Sequence, residues 1–342
     1  MARDTLKHKE ARTGAPNRKN SIGRVDNMDI EENPLPNIAV STNVFKQHFL
    51  YAFSSPGEIQ NYIRTQAHED ENKRLPEILK NWQTIQPQVL RVLQSEAGLA
   101  ETIGVKPIPD EYQAQLSEFA KDPLFEQTFS SFPMSFQLVE ADKLIFPQRI
   151  VNLDYVRELR EAVSQPPSFA ELLDMCVSPN RPIAPIQHLE LFPNPVHVFS
   201  SPNTDLRNLG SRMKHLTPDD LKYAQGGQPA AAIITFVGYG VASINAYHVG
   251  KRIILGNGHH RVHALRSMGV THLPIVIQEI SDPSTQFPQV LAGIPSAYLL
   301  QHPRPTLLKD FFNEDFVLTL DIPKRIKTVT VGVQAQEHDV PV

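Results

Sequence analysis

Residues 1–40 are polar and carry no hydrophobic period, so no packed element is expected there. From Ser55 the pattern turns helical. Ser55-Pro56-Gly57-Glu58 pairs a capping serine with a glutamate three residues on, and Ile59, Tyr62 and Ile63 follow on one face. Pro76 and Pro87 punctuate two further helical runs, which hold Ile78, Leu79, Trp82, Val89, Leu90, Val92 and Leu93. Pro109-Asp110-Glu111 reads as the first turn of another helix, ending near Lys121. Residues 41–131 are therefore expected to be a helical region of short segments.

At 136 the pattern changes. Phe136–Glu140 reads as a strand, and Leu144–Phe146 as a second before Pro147. Asn152 sits where a helix cap belongs, with Tyr155, Val156, Leu159 and Val163 on one face. Seven prolines break 165–200, which predicts an ordered but irregular insertion. Thr217-Pro218-Asp219-Asp220 predicts another helix start. Strands follow at Ala231–Val237, Val241–Tyr247 and Arg252–Leu255, with a turn at Val249-Gly250 between the last two. A helix then runs to Met268, Gly269 stops it, and Leu273–Ile277 is a further strand. Residues 281–342 read as proline-broken loops, a short helix near Leu307–Phe312, and strands at Phe316–Leu320 and Thr328–Val333. The fold class is α+β. The expected organisation is a basic tail over 1–40, the helical region, a domain over 136–280 with an insertion at 165–225, and an extension over 281–342.

Composition sharpens this in four places. Proline is 29 of 342 residues, above the average near ~5%, which argues against long coiled coils and helical solenoids. The formal net charge is −4, so no global positive field holds nucleic acid. Residues 1–24 do carry seven Lys/Arg against Asp4 and Glu10, which reads as a solvated tail rather than a transit peptide or nucleic-acid arm. The lone Cys176 excludes an intrachain disulfide and a cysteine metal cluster, and fits a reducing, cytoplasmic setting. The N-terminus lacks the apolar core of a secretory signal. Between Lys222 and Lys251, 28 residues carry no charge, but glycines and a proline punctuate them, so buried strands are expected and not a membrane span.

The stretch Arg252–Ile277 carries the chemistry. Its order is strand, glycine loop, helix, glycine stop, strand. Gly256, Asn257 and Gly258 let the backbone approach a ligand, and the helix that follows presents unpaired N–H groups and a positive dipole end. His259, His260 and Arg261 lie beside that end, so a phosphate or carboxylate is the natural guest. The bland alternative is that Asn257 caps the helix and Arg261 pairs elsewhere. His259 and His263, four apart, are in position to share a metal, though no glutamate stands between them as in HExxH, and His248 and His272 are a second, weaker pair. No metal ligand set is expected from these spacings. Trp82, Phe311 and Phe312 read as core, and Ser243 and Ser267 lack a nucleophile's setting.

Ile254-Leu255-Gly256-Asn257-Gly258-His259-His260-Arg261, with Ala264-Leu265 and Gly269, resembles the signature of the ParB/sulfiredoxin superfamily. Leu138–Leu144, Pro147-Gln148-Arg149 and Tyr155–Leu159 are similar to the opening strand, turn and first helix of its ParB N-terminal domains. The resemblance implies a nucleotide-binding domain over about 136–280. Gly256 to Arg261 and Arg149 would hold the phosphates of an NTP, ATP or CTP, with Mg²⁺ offsetting their charge. His259, His260 and Glu140 would be catalytic, with Asp142 and Asp154 as further acid/base or Mg²⁺ groups. Sulfinic-acid reduction is not expected, because His259 stands where sulfiredoxins carry cysteine. Kinase members use Asp where this chain has Asn257, and a catalytic Glu where it has Gln148, and an amide is no general base. The functional expectation is NTP hydrolysis or phosphoryl transfer. The alternatives are a nucleotide-regulated module docking a protein partner through the N-terminal helices, and, least favoured, a ParB-like DNA-binding protein or nuclease.

Overall fold

The computed structural model describes residues 44–179, 184–191, 196–223 and 227–339. The expected basic tail lies outside these residues. Residues Ser41–Val342 form one compact unit of mixed helix and sheet. Among the described residues no helix is long and apolar enough to cross a membrane.

The chain opens with β1 (Val44–Phe49), then α1 (Pro56–Gln66) and α2 (Glu69–Ser95). The Ser55/Glu58 capping box forms as its spacing predicts. Two sequence expectations change here. The region begins with a strand, and α2 is one 27-residue helix containing both Pro76 and Pro87, not two short runs. Interior proline costs roughly 3 kcal/mol. Burial of Leu75, Ile78 and Val89 opposes that cost, as do the bonds from Trp82 Nε1 to Ser54 O (3.0 Å) and Gln86 Nε2 to Ala52 O (3.2 Å). The short β2 (Val105–Pro107) precedes α3 (Gln113–Ala120), α4 (Pro123–Phe129) and β3 (Met134–Glu140).

Leu144–Phe146 is not a strand. A single residue, Ile145, bridges Ile254 on one side and Leu307 on the other before Pro147 turns the chain away. β4 (Ile150–Asn152) leads into α5 (Leu153–Glu161), and Asn152 caps it through the Tyr155 N–H (3.0 Å), as predicted. The 165–200 stretch is more regular than its prolines suggest. It holds α6 (Phe169–Val177), β5 (Gln187–Leu191) and β6 (Val196–Ser201), and α6 is buried through Leu173, Cys176 and Val177. The prolines fall between these elements and spare their interiors.

β7 (Arg207–His215) and β8 (Ala231–Gly238) form a two-stranded ribbon. Burial was expected for β8, yet Ile233 is 78% exposed. Thr217-Pro218 opens only a 3₁₀ turn at Asp220–Tyr223, because the Asp220 carboxylate takes the Thr217 N–H (2.9 Å) and hydroxyl (2.7 Å). β9 is shorter than predicted (Asn245–Val249), and Gly250-Lys251 turns it into β10 (Arg252–Asn257). α7 (His259–Ser267) and β11 (His272–Ile280) follow. The central sheet has the order β10-β9-β11-β3-β2, parallel only between β9 and β11. Helices α5, α6 and α7 supply the core beside it through Val156, Leu159, Leu173, Val262 and Leu265.

The last stretch contains α8 (Pro283–Gln286), a small hairpin of β12 (Val290–Leu291) and β13 (Ile294–Pro295), and α9 (Ser296–Gln301). The helix expected near Leu307–Phe312 is a 3₁₀ turn. β14 (Leu318–Pro323) starts two residues later than predicted and pairs with β1, which pairs in turn with β4. α1 and α2 cover that sheet through Ile59, Ile63, Leu75 and Ile78. β15 (Lys327–Gly332) joins β6 and β5 in a third sheet.

Arg304 is fully buried. Its guanidinium meets Asp310 (2.6 and 2.8 Å) and Glu96 at the end of α2 (2.8 and 3.0 Å), and it donates to Pro305 O (2.7 Å). Removing one partner of such a group leaves the other desolvated and unpaired. Arg304→Ala should therefore lower the free energy of unfolding by about 3–5 kcal/mol. Urea denaturation of the variant against wild type is the measurement.

Candidate functional site

The glycine loop closes β10 and starts α7. Gly258 is the N-cap of α7, at φ +93°, and a side chain there would put its first carbon 2.7 Å from Ile244 Cγ1. At Gly256 the same carbon would fall 2.5 Å from Asn245 Oδ1. Both positions therefore need glycine, Gly258 doubly so because of its backbone. Asn257 does not cap the helix. Its side-chain amide donates to Val241 O (2.8 Å) and Ser243 O (3.2 Å), tying the loop to the segment before β9.

Arg261 turns to the carbonyl end of α6, donating to Met175 O (3.0 Å). The Ser243 hydroxyl donates to Val177 O (3.0 Å), and the Ile244 N–H donates to Cys176 O (2.6 Å). α6 lies at the start of the expected 165–225 insertion, and its carbonyl end is what meets the loop.

His259 and His263 are buried and His260 is half-buried, each against an aromatic ring. His259 packs edge-on to Phe146 (centroids 4.9 Å) and His260 to Tyr155 (5.4 Å). His263 stacks on Phe312 (4.8 Å) and lies 6.1 Å from His48 of β1. Among the described residues, His259 Nε2, both ring nitrogens of His263 and His48 Nδ1 have no hydrogen-bond partner. Burial, with the neighbouring His260 and Arg261 charges, pushes His259 down to about 3. Burial and Arg261 push His260 down to about 4. Burial, His48 and His260 push His263 down to about 3. All three rings are neutral at pH 7. They can donate or accept a hydrogen bond, but they bring no charge to an anion.

The other expected site residues each have a partner in the fold. Glu140 pairs with His272 in the sheet, four residues along β11 from the level of the loop, roughly 13 Å away. There it accepts from the Gly104 N–H (2.9 Å) and meets Lys143 (3.2 Å). Asp142 is paired with Arg266 in the last turn of α7 (2.5 and 3.0 Å), and Asp154 with Arg157 (3.5 Å). Arg149 donates to Ser54 Oγ (2.8 Å) and reaches Glu58 (3.4 Å), at the start of α1. Gln148 holds Ile150 O (2.7 Å). His248 pairs with Glu279 (2.9 Å), and the His272 ring contacts its neighbour Thr271 (3.1 Å). Among the described residues no three His, Cys, Asp or Glu side chains converge as a metal site.

Sequence reasoning missed His48, Phe146 and Met175, which frame the loop. No local signal marks them, since β1, the Ile145 bridge and α6 reach α7 only through tertiary packing. Of the aromatics read as core, Trp82 and Phe311 are packed so, whereas Phe312 is 38% exposed under the Arg266 guanidinium (5.2 Å). Comparison of the chain with protein-family models, curated proteins and solved structures returned no match.

Gly258→Ala should cost about 2–4 kcal/mol, from the left-handed backbone and the overlap with Ile244 together. Gly269→Ala is the control. It shares the positive φ (+86°) but meets open space, so it should cost about 1–2 kcal/mol. Urea midpoints of the two variants give the comparison. The histidines also predict a pH dependence. Their folded pKa values lie below the ordinary 6.5, so their contribution is fully present above pH 6.5. It is lost as the unfolded chain takes up protons that the fold refuses, from about 6.5 down toward 3–4. Stability measured between pH 7 and 4.5 should fall less steeply in His263→Phe than in wild type.

Proposed function

We propose that the first turn of α7 binds a phosphate group of a nucleotide, with binding rather than phosphoryl transfer as its main role. One observation carries the reading. Gly258 at φ +93° turns the chain from the end of β10 straight into α7, and Arg261 lies in the first turn of that helix. The first-turn N–H groups of any helix lack intrahelical partners, and the dipole there favours an anion. The GNGHHR loop's resemblance to the ParB/sulfiredoxin signature supports the same guest and suggests ATP or CTP. Mg²⁺ would accompany the phosphates. Among the acidic side chains expected to assist a metal, Glu140 meets Lys143, Asp142 meets Arg266 and Asp154 meets Arg157.

The same placement weighs against hydrolysis. A general base must lie within hydrogen-bond reach of the proton it takes. Glu140 is held at the far end of α7, and Gln148 is an amide. His259 and His260 are neutral and remain the only expected catalytic groups at the loop. A nucleotide-regulated module, docking a protein partner through the N-terminal helices, fits these restraints better than an NTPase or kinase. DNA binding stays the least favoured reading.

Thermal melting of the full chain with ATP, CTP, GTP or ADP and Mg²⁺ tests the proposal. A ligand at a hundredfold excess over its Kd adds about 2.7 kcal/mol, so at least one nucleotide should raise Tm by several degrees. Arg261→Gln should reduce the shift. If no nucleotide moves Tm, the reading is wrong.

A further inference from the structure

β7 and β8 pair with each other and, among the described residues, with no other strand. None of their apolar side chains belongs to the hydrophobic clusters of the body. A lone pair of strands is marginally stable in water and gains from further strands. The register fixes the two faces of the ribbon. Met213 lies opposite Ile233 on one face, beside Ser211 and Thr235, whose hydroxyls bond at 2.7 Å. Arg212 lies opposite Ile234 on the other face, with its guanidinium 4.9 Å over the Phe236 ring. Ile233 is 78% exposed and Met213 is 57% exposed.

The two edges of this ribbon differ. β7 carries Arg207, Arg212 and Lys214, and it bulges: the three steps from Asn208 to Ser211 oppose two from Val237 to Thr235. Charges and bulges are what keep an edge strand from pairing with another chain. β8 has neither, and it has no proline. No charged residue stands between Lys222 and Lys251, so its flanks are unguarded as well. Among the described residues its backbone bonds run only to β7, which leaves an outer row of N–H and C=O groups open.

We propose that the open edge of β8 pairs antiparallel with β8 of a second copy of this chain, joining two ribbons into one four-stranded sheet. Identical strands that meet across a two-fold axis must be complementary to themselves. β8 satisfies this in any register, because it sets only uncharged residues against uncharged residues. β7 does not, since two copies would crowd Arg207, Arg212 and Lys214 along one seam, and like charges across a pair of strands destabilise it. The axis between two such strands is perpendicular to the sheet, so each face of one ribbon continues into the same face of the other. Ile233 and its copy then come within diagonal reach across the seam, with Met213 on the outer side of each. Side chains that are exposed on one ribbon become a shared apolar strip. This edge is separate from the glycine loop, and the pairing does not depend on nucleotide binding there.

Sedimentation velocity of the full chain across the micromolar range tests the proposal, beside Ile233→Lys and Met213→Lys. Both positions are exposed, and circular dichroism checks that each variant is folded. Wild type should pass from the mass of one chain to that of two as concentration rises. Ile233→Lys supplies the guard that the edge lacks and should weaken the dimer by about tenfold or more. Met213→Lys, one strand back from the seam, should change it by less than about threefold. Hydrogen exchange of the wild type should slow in β8 with concentration and stay unchanged in β7. If the wild type keeps the mass of one chain throughout, the edge serves a strand of another protein or none, and the proposal fails. It fails equally if a dimer forms that Ile233→Lys leaves intact, or that Met213→Lys disrupts as strongly.

Discussion

The last carbonyls of α6 have no partners within their own helix, and they are buried. Donors must reach them from elsewhere. Three of those donors, the Ile244 N–H, the Ser243 hydroxyl and the Arg261 guanidinium, belong to the segments that frame the glycine loop. One requirement of backbone chemistry thus fixes the segment before β9, the start of α7 and the far side of the domain's core together. Asn257 extends the arrangement by bonding back to Val241 and Ser243. Gly258 is squeezed against Ile244 for the same reason: Ile244 sits where α6 demands its N–H.

That arrangement gives Arg261 two claims on its charge. It completes the end of α6, and it stands beside a helix start with a positive dipole. The buried histidines add shape and hydrogen-bonding capacity without charge.

Local signals were well read where the physics is local. The Ser55/Glu58 box, the Asn152 cap and the β10–loop–α7–Gly269 order all formed as expected. The box and the cap each depend on residues three positions apart. The failures share a cause of the opposite kind. Proline marks a helix boundary by local rule, yet Pro76 and Pro87 are carried inside α2 by packing from distant elements. Leu144–Phe146 has a strand's composition, but a neighbouring segment on each side leaves room for one bridging residue. Glu140 and Arg149 show how far a side chain's partners can lie along the chain. Their actual partners, Gly104 and Ser54, lie 36 and 95 residues away.

The pairing of β1 with β14 brings together residues from Val44 to Pro323 across the length of the described chain. A ribosome releases the first of these strands long before the second exists. Until then β1 has β4 as a neighbour on one edge only, and its other edge is an open row of N–H and C=O groups. Contacts this distant in sequence slow folding, because the loop between them must close before they give anything back. The cell therefore holds this protein incomplete through most of its synthesis, and the hazard of that interval is strand-to-strand association between nascent chains.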